Sequence, residues 1–156
     1  MKRIILACFV FTTLGTTSYA QTAPPLRQAK AAERQAAILS IQSQLRAFAR
    51  DDYKTAITYQ SAGLKHNFPT TDSFRTMMVR GYPEFAHFKS VQFGPAKSDP
   101  SGIHVAIPVT VTGQDGIKVR AFYFLVRENK IYRIEGVQGG AQAPADSGPG
   151  ISGQDV

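Results

Sequence analysis

Three side chains in one stretch have the right types for acid–base or metal chemistry: His66, Glu84 and His87. They bracket an aromatic rim formed by Phe68, Tyr82, Phe85 and Phe88. An imidazole and a carboxylate brought within hydrogen-bond reach can pass a proton at neutral pH. Spacing alone does not bring them together, so the cluster is a site only if the fold makes the three converge. The simpler expectation is a solvated His66 in a loop and a solvated His87 on the approach to a strand. The same three are the only candidate metal ligands, and they lack zinc-motif spacing, so no metal and no cofactor is expected.

The aromatic residues say more. Tyr53, Tyr59, Phe68, Tyr82, Phe85, Tyr123 and Tyr132 have the make-up of a small-molecule pocket, with apolar bodies and a few hydroxyls. Any one of them could equally fill the core, its hydroxyl finding a partner there. Arg27, Lys30 and Arg34 recur at i, i+3 and i+7, which makes either an anion-contacting stripe or a solvated face. Gly139-Gly140 precedes no helix, so it is not a phosphate loop, and no Gly-x-Ser-x-Gly nucleophile elbow occurs. No catalytic residue is assigned.

The elements that must position these groups can be read from periodicity. Leu26 to Arg50 runs without Gly or Pro and is rich in Ala, Gln, Arg and Leu, all strong helix formers. Ile38, Ile41, Leu45 and Phe48 draw one apolar stripe along it. Asp51-Asp52 offers an N-cap for a second helix over Tyr53–Ser61, before Gly63. Thr70 or Thr71 caps a third over Asp72–Arg80, with Phe74, Met77 and Met78 inward; Gly81 and Pro83 end it. From Phe88 the period becomes two. Val91 and Phe93, then Ile103 to Val111, Ile117 to Arg127 and Ile131 to Val137 read as about four strands of an antiparallel meander. Helices followed by a meander indicate an α+β domain with its helices on one face of a curved sheet.

Turn chemistry sets the faces. A three-residue Gln114-Asp115-Gly116 loop opposes Val111 to Val119 and Ile107 to Tyr123. A two-residue loop would instead oppose Val111 to Arg120, setting a charge beside an apolar neighbour. A Glu128-Asn129 turn then pairs Leu125 with Tyr132 and Tyr123 with Ile134. On this register the helix-facing side carries Val105, Ile107, Val109, Val111, Val119, Ala121, Tyr123, Leu125, Tyr132 and Ile134, and no Asp, Glu or His. His104 and Glu135 fall on the outer side. So do Phe122, Phe124 and Val126, an apolar ridge that reads as a homodimer face, unless long side chains such as Arg120 and Arg133 cover it.

Composition bounds the rest. The chain has 156 residues, 43% of them apolar, with 13 Gly, 9 Pro, one Cys and no Trp. That is one domain's length, with too few cysteines for a disulfide scaffold. Lys2 and Arg3, the apolar run from Ile4, and Ser18-Tyr19-Ala20 read as a signal peptide over 1–20, cleaved near Ala20. The run is too short to span a membrane. The expected location is the periplasm or the exterior. Cleavage removes the single cysteine, Cys8, and leaves 16 basic and 11 acidic residues, a net charge of +5. These bases are scattered, which excludes a nucleic-acid signature. A leader over 21–25, a domain over 26–138 and a disordered Gly-rich tail over 139–156 complete the expected organisation.

Several short segments in order carry a family resemblance: Leu45-Arg46-Ala47-Phe48-Ala49-Arg50-Asp51-Asp52, Gly81-Tyr82-Pro83, Ser90-Val91-Gln92-Phe93-Gly94, Val111-Thr112-Gly113, Ala121-Phe122-Tyr123 and Tyr132-Arg133-Ile134-Glu135-Gly136. The stretch from about Ala36 to Val137 resembles a bacterial domain-of-unknown-function family with a nuclear-transport-factor-two-like (SnoaL-like, cystatin-type) cone. The resemblance implies a curved sheet wrapped around a long helix, an open pocket between them and dimerisation through the sheet. It carries over no catalytic residue. The function expected is an exported, non-enzymatic module that binds a small apolar or amphipathic ligand or a partner protein. The alternatives are a SnoaL-like enzyme with a Tyr/His pocket, or a structural envelope protein acting through its sheet face.

Overall fold

The computed structural model describes residues 25–142. The expected signal peptide, nearly all of the leader and the end of the expected tail lie outside these residues. Strand β1 (Arg27–Gln28) precedes helix α1 (Ala31–Ala49), three short helices α2 (Tyr53–Ala56), α3 (Ala62–His66) and α4 (Thr71–Gly81), and the single turn α5 (Pro83–Ala86). Strands β2 (Phe88–Phe93), β3 (Lys97–Ser98), β4 (His104–Gly113), β5 (Lys118–Glu128) and β6 (Ile131–Gln142) follow. The six strands form one open antiparallel sheet in the order β1-β3-β4-β5-β6, with β2 also on β4 beside β3. The helices pack on one face, so the domain is α+β. No helix among the described residues is long and apolar enough to cross a membrane.

Helix α1 is the core's spine. Ile38, Ile41, Leu45 and Phe48 are buried along its apolar stripe, together with Ala37, Ser40, Gln44 and Ala47. Its start differs from the expected Leu26. Arg27 and Gln28 instead pair with Ser98 and Lys97, and the Ala29 amide donates to the Ala96 carbonyl. Tertiary pairing at the sheet edge overrides helix propensity here. The first helical turn is tied back by Glu33, whose carboxylate accepts from the Lys30 amide at 2.8 Å and from both terminal nitrogens of Arg27 at 2.7 and 2.9 Å. A buried Ser40 hydroxyl donates to the Tyr132 carbonyl at 2.6 Å and so fastens α1 to β6.

The expected helix over Tyr53–Ser61 is broken. Asp52 caps α2 through the Thr55 amide, a single 3-10 turn follows at Ile57–Tyr59, and Gln60 is extended. The Ser61 amide then donates to the Ile134 carbonyl at 2.7 Å, and Gln60 bridges to the edge of β6. Pairing with the sheet edge replaces the next helical turn, and Ser61 caps α3 instead. Thr70 caps α4 through the Ser73 amide. Pro83 cannot continue α4, but its fixed φ suits the first position of α5.

The β4–β5 hairpin has the expected register, Val111 opposite Val119 and Ile107 opposite Tyr123, with Gly116 left-handed at φ 84°. The β5–β6 turn does not sit at Glu128-Asn129. It is Asn129-Lys130, both at positive φ, and it pairs Leu125 with Ile134 and Arg127 with Tyr132. The slip is two residues, so the faces are unchanged and all ten residues assigned to the helix side are buried. A bulge at Glu135 then changes the alternation: Ile134 and Val137 both come to the helix side, and Val137, not Ile134, opposes Tyr123. Strand β6 also continues through Gln142, past the domain end expected at 138. Gly139 makes that continuation possible. At φ 146°, a β-carbon there would sit 2.6 Å from the Ala121 α-carbon and the Arg120 carbonyl oxygen.

Candidate functional site

Between α1, α4 and the sheet lies a half-open pocket of about 200 Å³. Helix α1 supplies Gln44 and Phe48 from its inward stripe. The extended link after the 3-10 turn supplies Gln60, and α3 with its following loop supplies Leu64 and Phe68. Helix α4 contributes Phe74, Met77 and Met78; the α4–α5 corner adds Tyr82 and Phe85. The floor is Tyr123 of β5 with Ile134 and Val137 of β6. The aromatic rings pack tilted against one another into a wall, with Phe68 to Phe74 centroids 5.1 Å apart and Phe85 to Tyr123 centroids 6.3 Å apart. Methionines adapt such a wall to varied shapes.

Polar groups on this wall are few. Gln44 is 3% exposed and its Nε2 donates to the Ala56 carbonyl at 3.2 Å. Gln60 is 2% exposed, and its buried Oε1 has no hydrogen-bond partner among the described residues. Burial holds the Tyr123 phenol well above its ordinary value, so it stays protonated. Among the described residues, no Asp, Glu, His, Lys or Arg side chain lines the pocket.

Of the seven aromatic residues expected at a pocket, Phe68, Tyr82, Phe85 and Tyr123 line it, and three do not. Tyr53 is buried behind it against Phe48 and Phe74, its hydroxyl without a hydrogen-bond partner among the described residues. Tyr59 sits half-buried on the 3-10 turn. Tyr132 is sequestered at the far end of the sheet, where its hydroxyl donates to the Gly102 carbonyl at 2.6 Å. Sequence reading missed both glutamines as pocket residues. A signal for one existed: Gln44 falls between Ile41 and Phe48 on an otherwise apolar stripe.

The titratable candidates lie elsewhere. His66 is exposed at the end of α3 rather than in a loop, and His87 is exposed just before β2. Glu84 lines a second, more open hollow of about 400 Å³, behind Tyr82 and Phe85, with Val119 and Gly139. Among the described residues no hydrogen bond or ion pair joins these three, and no group of three or more His, Cys, Asp or Glu is placed to hold a metal ion. Glu135 is exposed at its bulge, and His104 is exposed beside Asp99. The arginines of the Arg27–Lys30–Arg34 stripe are engaged within the fold. Arg27 holds Glu33, and Arg34 donates to the Phe93 and Gly94 carbonyls. On the outer sheet face Phe122 is 46% exposed, with Phe124 and Val126 half-buried beside it. Arg133 does not lie free over this ridge; it donates to the Thr58 carbonyl at 2.8 Å.

Fold and pocket together define a small α+β domain with an apolar, aromatic-walled cavity between helices and sheet. Residues 27–145 match the family Domain of unknown function (DUF4864), and the chain belongs to that family. No curated protein matches it.

Proposed function

We propose that this chain is an exported, non-enzymatic module that holds a small apolar or amphipathic ligand between its helices and sheet. One observation carries the reading: the pocket is walled by aromatic and methionine side chains, and among the described residues no acid, base or cation lines it. Proton transfer needs a carboxylate, imidazole or comparable group with a tuned pKa at the reacting atoms. A protonated, buried phenol and two carboxamides orient a ligand but do not turn over a proton at neutral pH. A nuclear-transport-factor-two-like (SnoaL-like, cystatin-type) cone is the superfamily reading that suits a bulged antiparallel sheet over one long helix. The basic, apolar N-terminus with Ser18-Tyr19-Ala20 supports export to the periplasm or exterior. The exposed Phe122 beside Phe124 and Val126 supports a homodimer through the sheet.

Native mass spectrometry of the protein recovered from the periplasm tests these together. The expected spectrum shows a chain beginning at Gln21, a dimer, and an additional small mass released on collisional activation. Phe124→Arg is expected to give a monomer that keeps the small mass. A bare chain from every preparation would count against ligand carriage, and an unchanged oligomer in the variant would remove the dimer.

A further inference from the structure

Both hollows lie along the outermost strand of the sheet. Ile134 and Val137 of β6 line the aromatic pocket, and Gly139, two residues on, lines the second hollow. Tyr82 and Phe85 line both, so their rings partition one trough into two compartments. Val137 and Gly139 oppose Tyr123 and Ala121, which are buried on the helix side, so both positions belong to that side. Val137 is nonetheless 37% exposed, which puts it at the pocket's mouth. Strand β6 ends the sheet. Among the described residues β5 pairs it on one side, and on the other only Gln60 bridges to it, at Ile134. The Ser61 amide donates to the Ile134 carbonyl there at 2.7 Å, so this edge already accepts an extended segment. From Gly136 to Gln142 the edge has no such partner among the described residues, and the sequence holds no charge and no proline. Sheet edges are ordinarily blunted by charges or proline, because their unpaired amides and carbonyls template a further strand.

We propose that the β6 edge takes an extended peptide of a partner protein as an added strand, with a large apolar side chain in the aromatic pocket and a lysine or arginine two residues away against Glu84. The proposal rests on the ligand-holding reading above and names the bearer of the apolar body. An added strand lies about 4.8 Å from its neighbour. Its residue opposite Val137 falls on the helix side, with β-carbons about 5 Å apart, and so stands at the pocket's mouth. A dry cavity of roughly 150 Å³ accepts one benzene, so the 200 Å³ here suits the ring of a phenylalanine or a leucine or methionine side chain. The next residue on that side comes about 6.7 Å further along. It lies opposite Gly139, which sets no side chain between it and the second hollow. Glu84 is half-buried and is the one charged side chain among the described residues lining that hollow. No ion pair among the described residues involves it, so its carboxylate is open to a cation from the peptide. Main-chain bonds supply affinity in such an arrangement, and the two hollows supply sequence selection.

Selection of a random nonapeptide display library on the purified protein, followed by calorimetry on a synthetic peptide of the enriched sequence, tests this. Enriched peptides are expected to share an aromatic or large aliphatic residue two positions from a lysine or arginine. Glu84→Gln is expected to weaken the synthetic peptide about twofold to fivefold and to leave its norleucine-for-cation analogue unchanged. N-methylation of the peptide at alternate residues separates strand addition from side-chain docking: one set of positions should cost about tenfold or more, the other little. Loss at both sets or at neither would overturn strand addition, and this comparison on the wild-type protein decides the matter even if the variant does not fold. No enrichment while n-hexanol still binds would overturn the proposal and leave the ligand-holding reading standing; binding of neither would overturn both. Hydrogen exchange of the free protein reads the other occupants. Amides of residues 136–142 that are all slow before peptide is added would overturn the proposal. Protection lost on dilution would assign the edge to a second copy, and protection that persists would assign it to the chain itself.

Discussion

Single side chains set where the fold is vulnerable to acid. Glu33 is held down to about 2 from an ordinary 4.5, first by its hydrogen bonds to Arg27 and then by the Lys30 amide, against the opposing effect of burial. Asp99 is held to about 2 from 3.8, chiefly by the Ser101 hydroxyl, with the amides of Ile103 and His104 adding to it. Both folded values are depressed, so the stability these carboxylates supply is complete above their unfolded values. It is lost as pH falls from about 4.5 through 2. Glu33→Gln should lower Tm at neutral pH by about 3–5 °C through loss of the helix-start hydrogen bonds. It should also flatten, but not abolish, the fall of Tm across that acid window, because Asp99 remains. Thermal melts of both proteins from pH 7 to pH 2 check this; parallel curves would show that Glu33 carries none of the acid sensitivity.

Elements were legible where two signals agreed. The β4–β5 register follows from Gly116 and from the cost of setting Arg120 against Val111, and both point to the same three-residue loop. The β5–β6 turn had no such second signal. Asn129 tolerates positive φ, but nothing in a lysine announces that Lys130 will adopt φ 70°. The bulge at Glu135 leaves no mark on the alternation until pairing is known. Lys130 also supplies a test of the turn: a two-residue turn with both positions left-handed prefers Asn-Gly. Lys130→Gly should raise stability by about 0.5–1 kcal/mol, relief of left-handed strain outweighing the added freedom of the unfolded chain. Denaturant melts would read it as a higher midpoint at unchanged slope. A lower midpoint would place the turn back at Glu128-Asn129.

For the whole molecule, the helices-on-sheet layering and the buried face were readable because the buried residues recur at periods of 3.6 and 2. The pocket was only half readable. Aromatic type marked Phe68, Tyr82, Phe85 and Tyr123, but it equally marked Tyr53, Tyr59 and Tyr132, since residue type does not tell whether a ring faces a cavity or fills the core. Gln60 was hidden because its position depends on a pairing to Ile134 across 74 residues. The central claim is that a small apolar body enters between α1, α4 and β5–β6. Amide chemical-shift mapping of the 15N-labelled protein during titration with n-hexanol tests it most directly. The account predicts saturable shifts concentrated at Gln44, Gln60, Phe74, Met78 and Tyr123, with the amides of Glu33 and Asp99 unmoved. Saturable shifts confined to the outer face around Phe122 and Phe124, or no saturable shifts at all, would contradict it.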